Sequence, residues 1–160
     1  MNVQLKSASI GLLLASCALS IPATAAEFQW GDVEVSLNSQ ISLGVGWRMS
    51  DRDPQLITPG NAPGFGLAST GTGDDGNANF DDGDVYSMIL KGVHDLEFRK
   101  GDFGLFLRGK YWYDMELADG DRPHGNSANL FMPDEPLDDS GFDDFAKASG
   151  IELLDAFLYG

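Results

Sequence analysis

The chain has 160 residues, enough for one modest domain or a portion of a larger one. Its 25 acidic side chains, 19 of them Asp, outnumber 10 basic ones, and the net charge of −15 excludes a nucleic-acid binder because too little is present to neutralise phosphates. One Cys and two His (His94 and His124) exclude a disulfide framework and Cys-based zinc or redox sites, while 42% apolar residues are too many for a disordered chain.

Residues 1–6 are a short basic segment, residues 7–21 an apolar run, and Pro22-Ala23-Thr24-Ala25-Ala26 a stretch of small residues. That order is the pattern of a secretory signal peptide, with Ala23-Thr24-Ala25 fitting the A-x-A rule and cleavage expected after Ala25. The apolar run is shorter than the ~20 residues a spanning helix needs. Leu14-Ala15-Ser16-Cys17 resembles a lipoprotein box, a second reading weakened by the apolar residues that continue past Cys17. Removal of residues 1–25 takes away Lys6 and no acid, so −15 becomes −16, and it takes away the sole Cys. The mature chain, residues 26–160, is expected to be exported.

Residues 33–49 alternate. Odd positions read Val, Val, Leu, Ser, Ile, Leu, Val, Trp, Met, and the even ones between them Glu, Ser, Asn, Gln, Ser, Gly, Gly, Arg. A period of two predicts a β-strand, because successive side chains point to opposite faces; on a helix the same positions would scatter around the axis. The run is far longer than the usual strand of ~5–6 residues. A second run covers residues 84–98, with Tyr86, Met88, Leu90, Leu96 and Phe98 on one face and Lys91, Asp95 and Glu97 on the other. Arg99-Lys100-Gly101-Asp102 then predicts a tight turn, with Gly101 at φ > 0. A third run spans residues 103–115, placing Phe103, Leu105, Leu107, Tyr111, Tyr113 and Met115 opposite Arg108, Lys110, Asp114 and Glu116. Antiparallel pairing sets Lys91, Asp95 and Glu97 beside Arg108 and Lys110, where opposite charges can pair. A fourth run begins at Glu152 and reaches Gly160.

These features predict an all-β fold of antiparallel up-and-down strands. Tyr86 and Phe98 are twelve residues apart, roughly 40 Å along a strand and about 30 Å of height at a ~40° tilt, which suits an outer-membrane apolar band with its aromatic girdles. Trp47, Tyr86 and Tyr113 are expected at one rim, and Phe98 and Phe103 at the other. Lys91, Asp95, Glu97, Arg108 and Lys110 are expected to face the lumen. A short turn at 99–102 against long loops at about 50–84 and 116–150 matches short periplasmic turns and long extracellular loops. Residues 33–49 then run outward, 84–98 inward and 103–115 outward. A periplasmic β-sandwich with solvated polar faces is the alternative. His94 falls on the apolar face with no partner His or Cys, and is read as a neutral imidazole near the periplasmic interface.

The long loops are acidic: residues 51–84 hold seven Asp and one Arg, and the second loop holds Asp134, Glu135, Asp138, Asp139, Asp143 and Asp144. Asp75, Asn77, Asn79 and Asp81 imitate the spacing of a calcium loop, but Phe80 stands where Gly is required and Tyr86 where the closing Glu belongs. A solvated, turn-rich loop is the better reading. No cofactor or metal site is assigned. Carboxylates are too abundant for any pair to stand out as an acid/base couple, and no enzyme chemistry is assigned.

Several segments resemble a family of Gram-negative exported proteins catalogued as domain of unknown function 1302. They are Gly83-Asp84-Val85-Tyr86-Ser87 through Leu96-Glu97-Phe98, the stretch from Phe103-Gly104-Leu105 to Tyr111-Trp112-Tyr113-Asp114, and Glu152-Leu153-Leu154-Asp155-Ala156-Phe157-Leu158-Tyr159-Gly160. Trp47-Arg48 with Asp53-Pro54-Gln55-Leu56-Ile57 looks like the family's first strand and loop. The resemblance implies an outer-membrane barrel several times longer than this chain, with a role in passage or handling of hydrophobic molecules and no catalytic residues to carry over. Its implied partners are outer-membrane lipid, lipopolysaccharide and the barrel-assembly machinery. A barrel needs at least ~8 strands and four do not close, so the chain is expected to be an N-terminal fragment, completed by further strands or other chains. The competing function is a periplasmic or surface β-sheet binding module whose acidic loops hold divalent cations.

Overall fold

A computed structural model describes residues 14–22, 25–57, 66–68, 78–125 and 132–160. Its strands are β1 (Leu14–Pro22), β2 (Ala26–Trp30), β3 (Val33–Arg48), β4 (Val85–Lys100) and β5 (Phe103–Asp114), then, after a short helix α1 (Met115–Asp119), β6 (Asp121–His124), β7 (Met132–Pro136) and β8 (Ser149–Tyr159). The main sheet has the order β1-β3-β4-β5-β8, and β2 also pairs with β3; β6 and β7 form a separate hairpin. All pairings are antiparallel. The fold is all-β, as the alternation required. The sheet is open, with β1 and β8 at its edges.

The alternating runs became the three central strands. Gly31 and Gly101 take φ of 63° and 58°, each followed by Asp, and each links two paired strands through two residues. Only glycine adopts that backbone without strain, which fixes the register on both sides. One face carries cross-strand rows such as Val35, Phe98, Leu105, Leu158 and Leu37, Leu96, Leu107, Ala156. The other carries Asn38, Asp95, Arg108, Asp155 and Gln40, Val93, Lys110, Glu152. Among the described residues the buried apolar side chains are Val35, Ile57 and Ala78 alone. Among the described residues the main sheet is a single layer, and so few side chains are buried.

Four features differ from the alternation. Residues 14–22, which fall within the expected leader (apolar run 7–21, then Pro22), pair with Gln40–Arg48 as β1, and β2 lies outside the alternating runs. The first and third runs end one residue early, at Arg48 and Asp114, and the second continues to Lys100. The stretch 116–150 is more than a solvated loop: it contains most of α1, with β6 and β7. The fourth difference is two β-bulges, between Gly46 and Trp47 against β4 and between Arg108 and Gly109 against β8.

Candidate functional site

The charged face is built by β3, β4, β5 and β8. Asp95 lies directly across from Arg108, which grips it through Nε–Oδ1 at 2.6 Å and Nη2–Oδ2 at 2.7 Å. Planar guanidinium and carboxylate match in this two-bond geometry. Arg108 also approaches Asp155 on β8 at 3.8 Å, and Lys110 pairs with Glu152 at 2.9 Å. Glu97 accepts a hydrogen bond from the Tyr159 hydroxyl, and Arg99 makes a two-bond contact with Glu34 at 2.7 and 3.1 Å. Of the five expected lumen charges, the structure joins Asp95 to Arg108 and gives Glu97 and Lys110 partners on β8. Lys91 lies across from Ser42 and Trp112.

Glu152 and Asp155 show why half of this array escaped the sequence. Three residues apart, they would lie on opposite faces of a regular strand. Leu154 is the extra residue of the bulge, since Arg108 pairs with Asp155 while Gly109 pairs with Leu153. The phase shift puts both carboxylates on the charged face.

Aromatic rings share this face. Phe106 and Phe157 stack across β5 and β8 with centroids 5.0 Å apart, and Arg108 lies 5.4 Å over Phe106. Lys110 sits 5.0 Å over Trp112 and 4.7 Å from Phe145. Cations over ring faces gain about 0.5–1 kcal/mol at exposed sites. Phe106 and Trp112 occupy even positions of β5, so alternation places them here; attention to charge alone passes them over.

Phe145 arrives from the segment before β8. Asp143 caps a single 3-10 turn, Asp144–Ala146, by accepting from the Phe145 N–H at 3.2 Å. The segment is tied down where Trp112 Nε1 donates to the Lys147 carbonyl at 2.8 Å and Asp114 N–H to Ala148 O at 2.8 Å. Between it and the sheet lies a cavity of about 450 Å³ bounded by Ile89, Lys91, Val93, Lys110, Trp112, Phe145 and Lys147 among others. Lys147 pairs with Asp144 at 2.6 Å, which holds the Asp144 carboxyl below and the Lys147 ammonium above their ordinary values. Asp138 is also lowered, by hydrogen bonds from Ser140. Asp139 accepts from Ala148 N–H at 2.7 Å. The acidic residues of this loop thus serve largely as turn and cap acceptors.

Asp114 ends β5 because its carboxylate, almost wholly buried, has other work. It accepts from the Ser87 hydroxyl, from Met88 N–H at 3.0 Å, and from Glu116 and Leu117 N–H at 3.1 and 3.3 Å. It therefore caps α1 and ties that helix to β4.

On the apolar face, Phe98 and Phe103 lie at one end of the strands and Trp47 and Tyr113 at the other, as the register requires. Tyr86 departs from its row. The bulge sets Val85 opposite Trp47, and the Tyr86 ring lies over Gly46, on the charged side of β3, edge-on to Phe80. His94 hydrogen-bonds through Nδ1 to Ser39 Oγ at 2.7 Å and stacks on Tyr111 at 5.6 Å.

Of the calcium-like residues, Asp75 and Asn77 lie outside the described residues. Asn79 donates to the Pro123 carbonyl and Asp81 pairs with Arg52 at 2.6 Å. No group of three or more His, Cys, Asp or Glu among the described residues could hold a metal ion.

The paired strands, the Gly-Asp turn and the charged row of β4 and β5 all lie inside one family match, which spans residues 6–160. The chain belongs to the family described as "Protein of unknown function (DUF1302)". No curated protein and no solved structure matches it. The DUF1302 match covers every strand described above.

Proposed function

We propose that this DUF1302 chain supplies strands of an outer-membrane β-barrel, with the charged and aromatic face turned inward, that handles or passes hydrophobic molecules. One observation carries the reading: strands of 11–16 residues present an apolar face on which large side chains lie exposed. Ile151 and Leu158 are 86% and 80% exposed, and Ile41, Leu43 and Leu153 lie open on the same face. In water so large a patch invites association; in a bilayer it is the surface that lipid requires. Some 9–11 tilted residues suffice to cross the membrane, and these strands reach or exceed that. Both edges of an open sheet carry unpaired N–H and C=O groups that lipid cannot satisfy, so closure requires further strands, from the same chain or from others.

In this reading the leader ending at Ala25 directs export, the barrel-assembly machinery inserts the strands, and the acidic loops meet lipopolysaccharide outside. The alternative, a periplasmic module binding divalent cations, has less support because Asn79 and Asp81 are already engaged. Cell fractionation and heat-modifiable gel mobility of the full-length gene product test the proposal. Recovery in the outer-membrane fraction with a mobility shift on boiling is expected; a freely soluble periplasmic protein would overturn it.

A further inference from the structure

The cavity beneath Phe145 is lined by cations in a chain where carboxylates prevail. The chain has 10 basic residues against 25 acidic ones, yet three of the ten, Lys91, Lys110 and Lys147, bound this one space, and no carboxylate is among the described residues that line it. Lys110 has Glu152 as ion-pair partner and Lys147 has Asp144, with Asp139 and Asp143 also acting on it, whereas Lys91 makes no ion pair among the described residues. An ammonium offers three donors, so Lys110 and Lys147 each keep donors beyond their one ion pair. The walls between the lysines are apolar or aromatic: Val93, Trp112 and Phe145. About 450 Å³ suits a small organic molecule.

We propose that this cavity is a subsite for amphipathic organic anions, binding a carboxylate through Lys91 and Lys110 and an aromatic or aliphatic body against Trp112 and Phe145. The inference deepens the proposed function by naming the class of hydrophobic molecule, and its role in passage rests on that reading. The pocket itself needs only β4, β5 and the turn at Asp144–Ala146. Glu152 and Asp144 offset Lys110 and Lys147 at close range, so Lys91 is the cation on which anion binding chiefly depends, and exposed acids more than ~8 Å away are screened at physiological ionic strength.

Titration calorimetry of the full-length protein in non-ionic detergent, with 2-naphthoate, 2-naphthol and 2-naphthylmethylammonium as probes, tests the proposal. Naphthoate should bind at least about tenfold more tightly than either analogue. Lys91→Gln should weaken naphthoate about fivefold and leave naphthol unchanged, and Lys91→Arg should restore it. Lys100→Gln, at the far turn, should change neither. Equal binding of naphthoate and naphthol, or no effect of Lys91→Gln in a protein of wild-type heat-modifiable mobility, would overturn the subsite. Loss of that mobility shift in the unmutated protein would instead overturn the barrel, and the same titrations on the soluble chain would still decide the pocket.

Discussion

The Tyr111 ring lies over Gly92, its direct partner across β4 and β5, so closely that a Cβ on Gly92 would sit 2.4 Å from the ring. The same arrangement recurs across β5 and β8, where Tyr159 covers Gly104 and Trp112 covers Gly150. A glycine in a strand normally weakens it, and a ring laid over the vacancy restores packing that the missing side chain lost. Gly92→Ala should therefore destabilise the folded form by about 1–3 kcal/mol through overpacking. Adding Tyr111→Ala should recover part of that loss, because the two changes share one contact. Urea titration of the folded gel band measures both; additive losses would contradict the account.

Asp114 is the second point of leverage. Asp114→Ala removes the cap of α1 and leaves Met88 N–H without its acceptor, at a combined cost of about 2 kcal/mol. Hydrogen exchange should quicken at Met88, Glu116 and Leu117 and remain unchanged at Leu105 and Leu107. Uniform acceleration along β5 would show that the carboxylate holds more than the helix end.

Arg108 neutralises two acids at once. Exposed ion pairs contribute only about 0–1 kcal/mol, so Arg108→Gln should scarcely alter stability. In planar bilayers it should nonetheless shift the reversal potential toward cation selectivity, since Asp95 and Asp155 then face the path uncompensated. An unchanged reversal potential in a conducting protein would place this face outside the lumen.

The pH response of the turn at Asp144–Ala146 has a definite sign. Asp144 is lowered by Lys147, so its contribution is full above the unfolded carboxylate value of about 3.9 and is lost as pH falls through the lower folded one. Lys147 is raised, so its share is present below about 10.4 and is lost as pH climbs past the folded value. Amide shifts of Phe145 and Lys147 should stay flat between about pH 5 and 9. A midpoint near neutrality would implicate some other group.

Topology can be read with single cysteines, since the sole Cys, Cys17, precedes the expected cleavage point. An impermeant thiol reagent on intact cells should label Asn77→Cys and spare Asp102→Cys. Asp102 is preferable to Gly101, whose φ of 58° disfavours a side chain. The opposite labelling would invert the sheet in the membrane.

Strand positions, faces and the Gly101 turn were legible because a period of two and a left-handed glycine are local properties. The ion pair of Asp95 with Arg108 followed from the turn between them. The pairs of Lys110 with Glu152 and Arg108 with Asp155 were not legible: they depend on which strand lies beside β5 and on an extra residue at Leu154. Tyr86 was misplaced for the same reason, a bulge that alternation does not announce. Phe145 over Lys110 depends on a segment folding back from about 35 positions further on. Its geometry is set by Asp143, Trp112 and Asp114 acting together.

The strand Leu14–Pro22 and the proposed leader exclude each other. As a leader it leaves with the peptide; as β1 it occupies the margin of β3 from Gln40 to Arg48. Were it cut away as that leader, β2 would still hem Val33–Leu37, and among the described residues only the upper margin would be vacant. In the proposed barrel, a strand sealing the wall would then dock along roughly 30 Å of β3, above a hairpin that already occupies the lower berth.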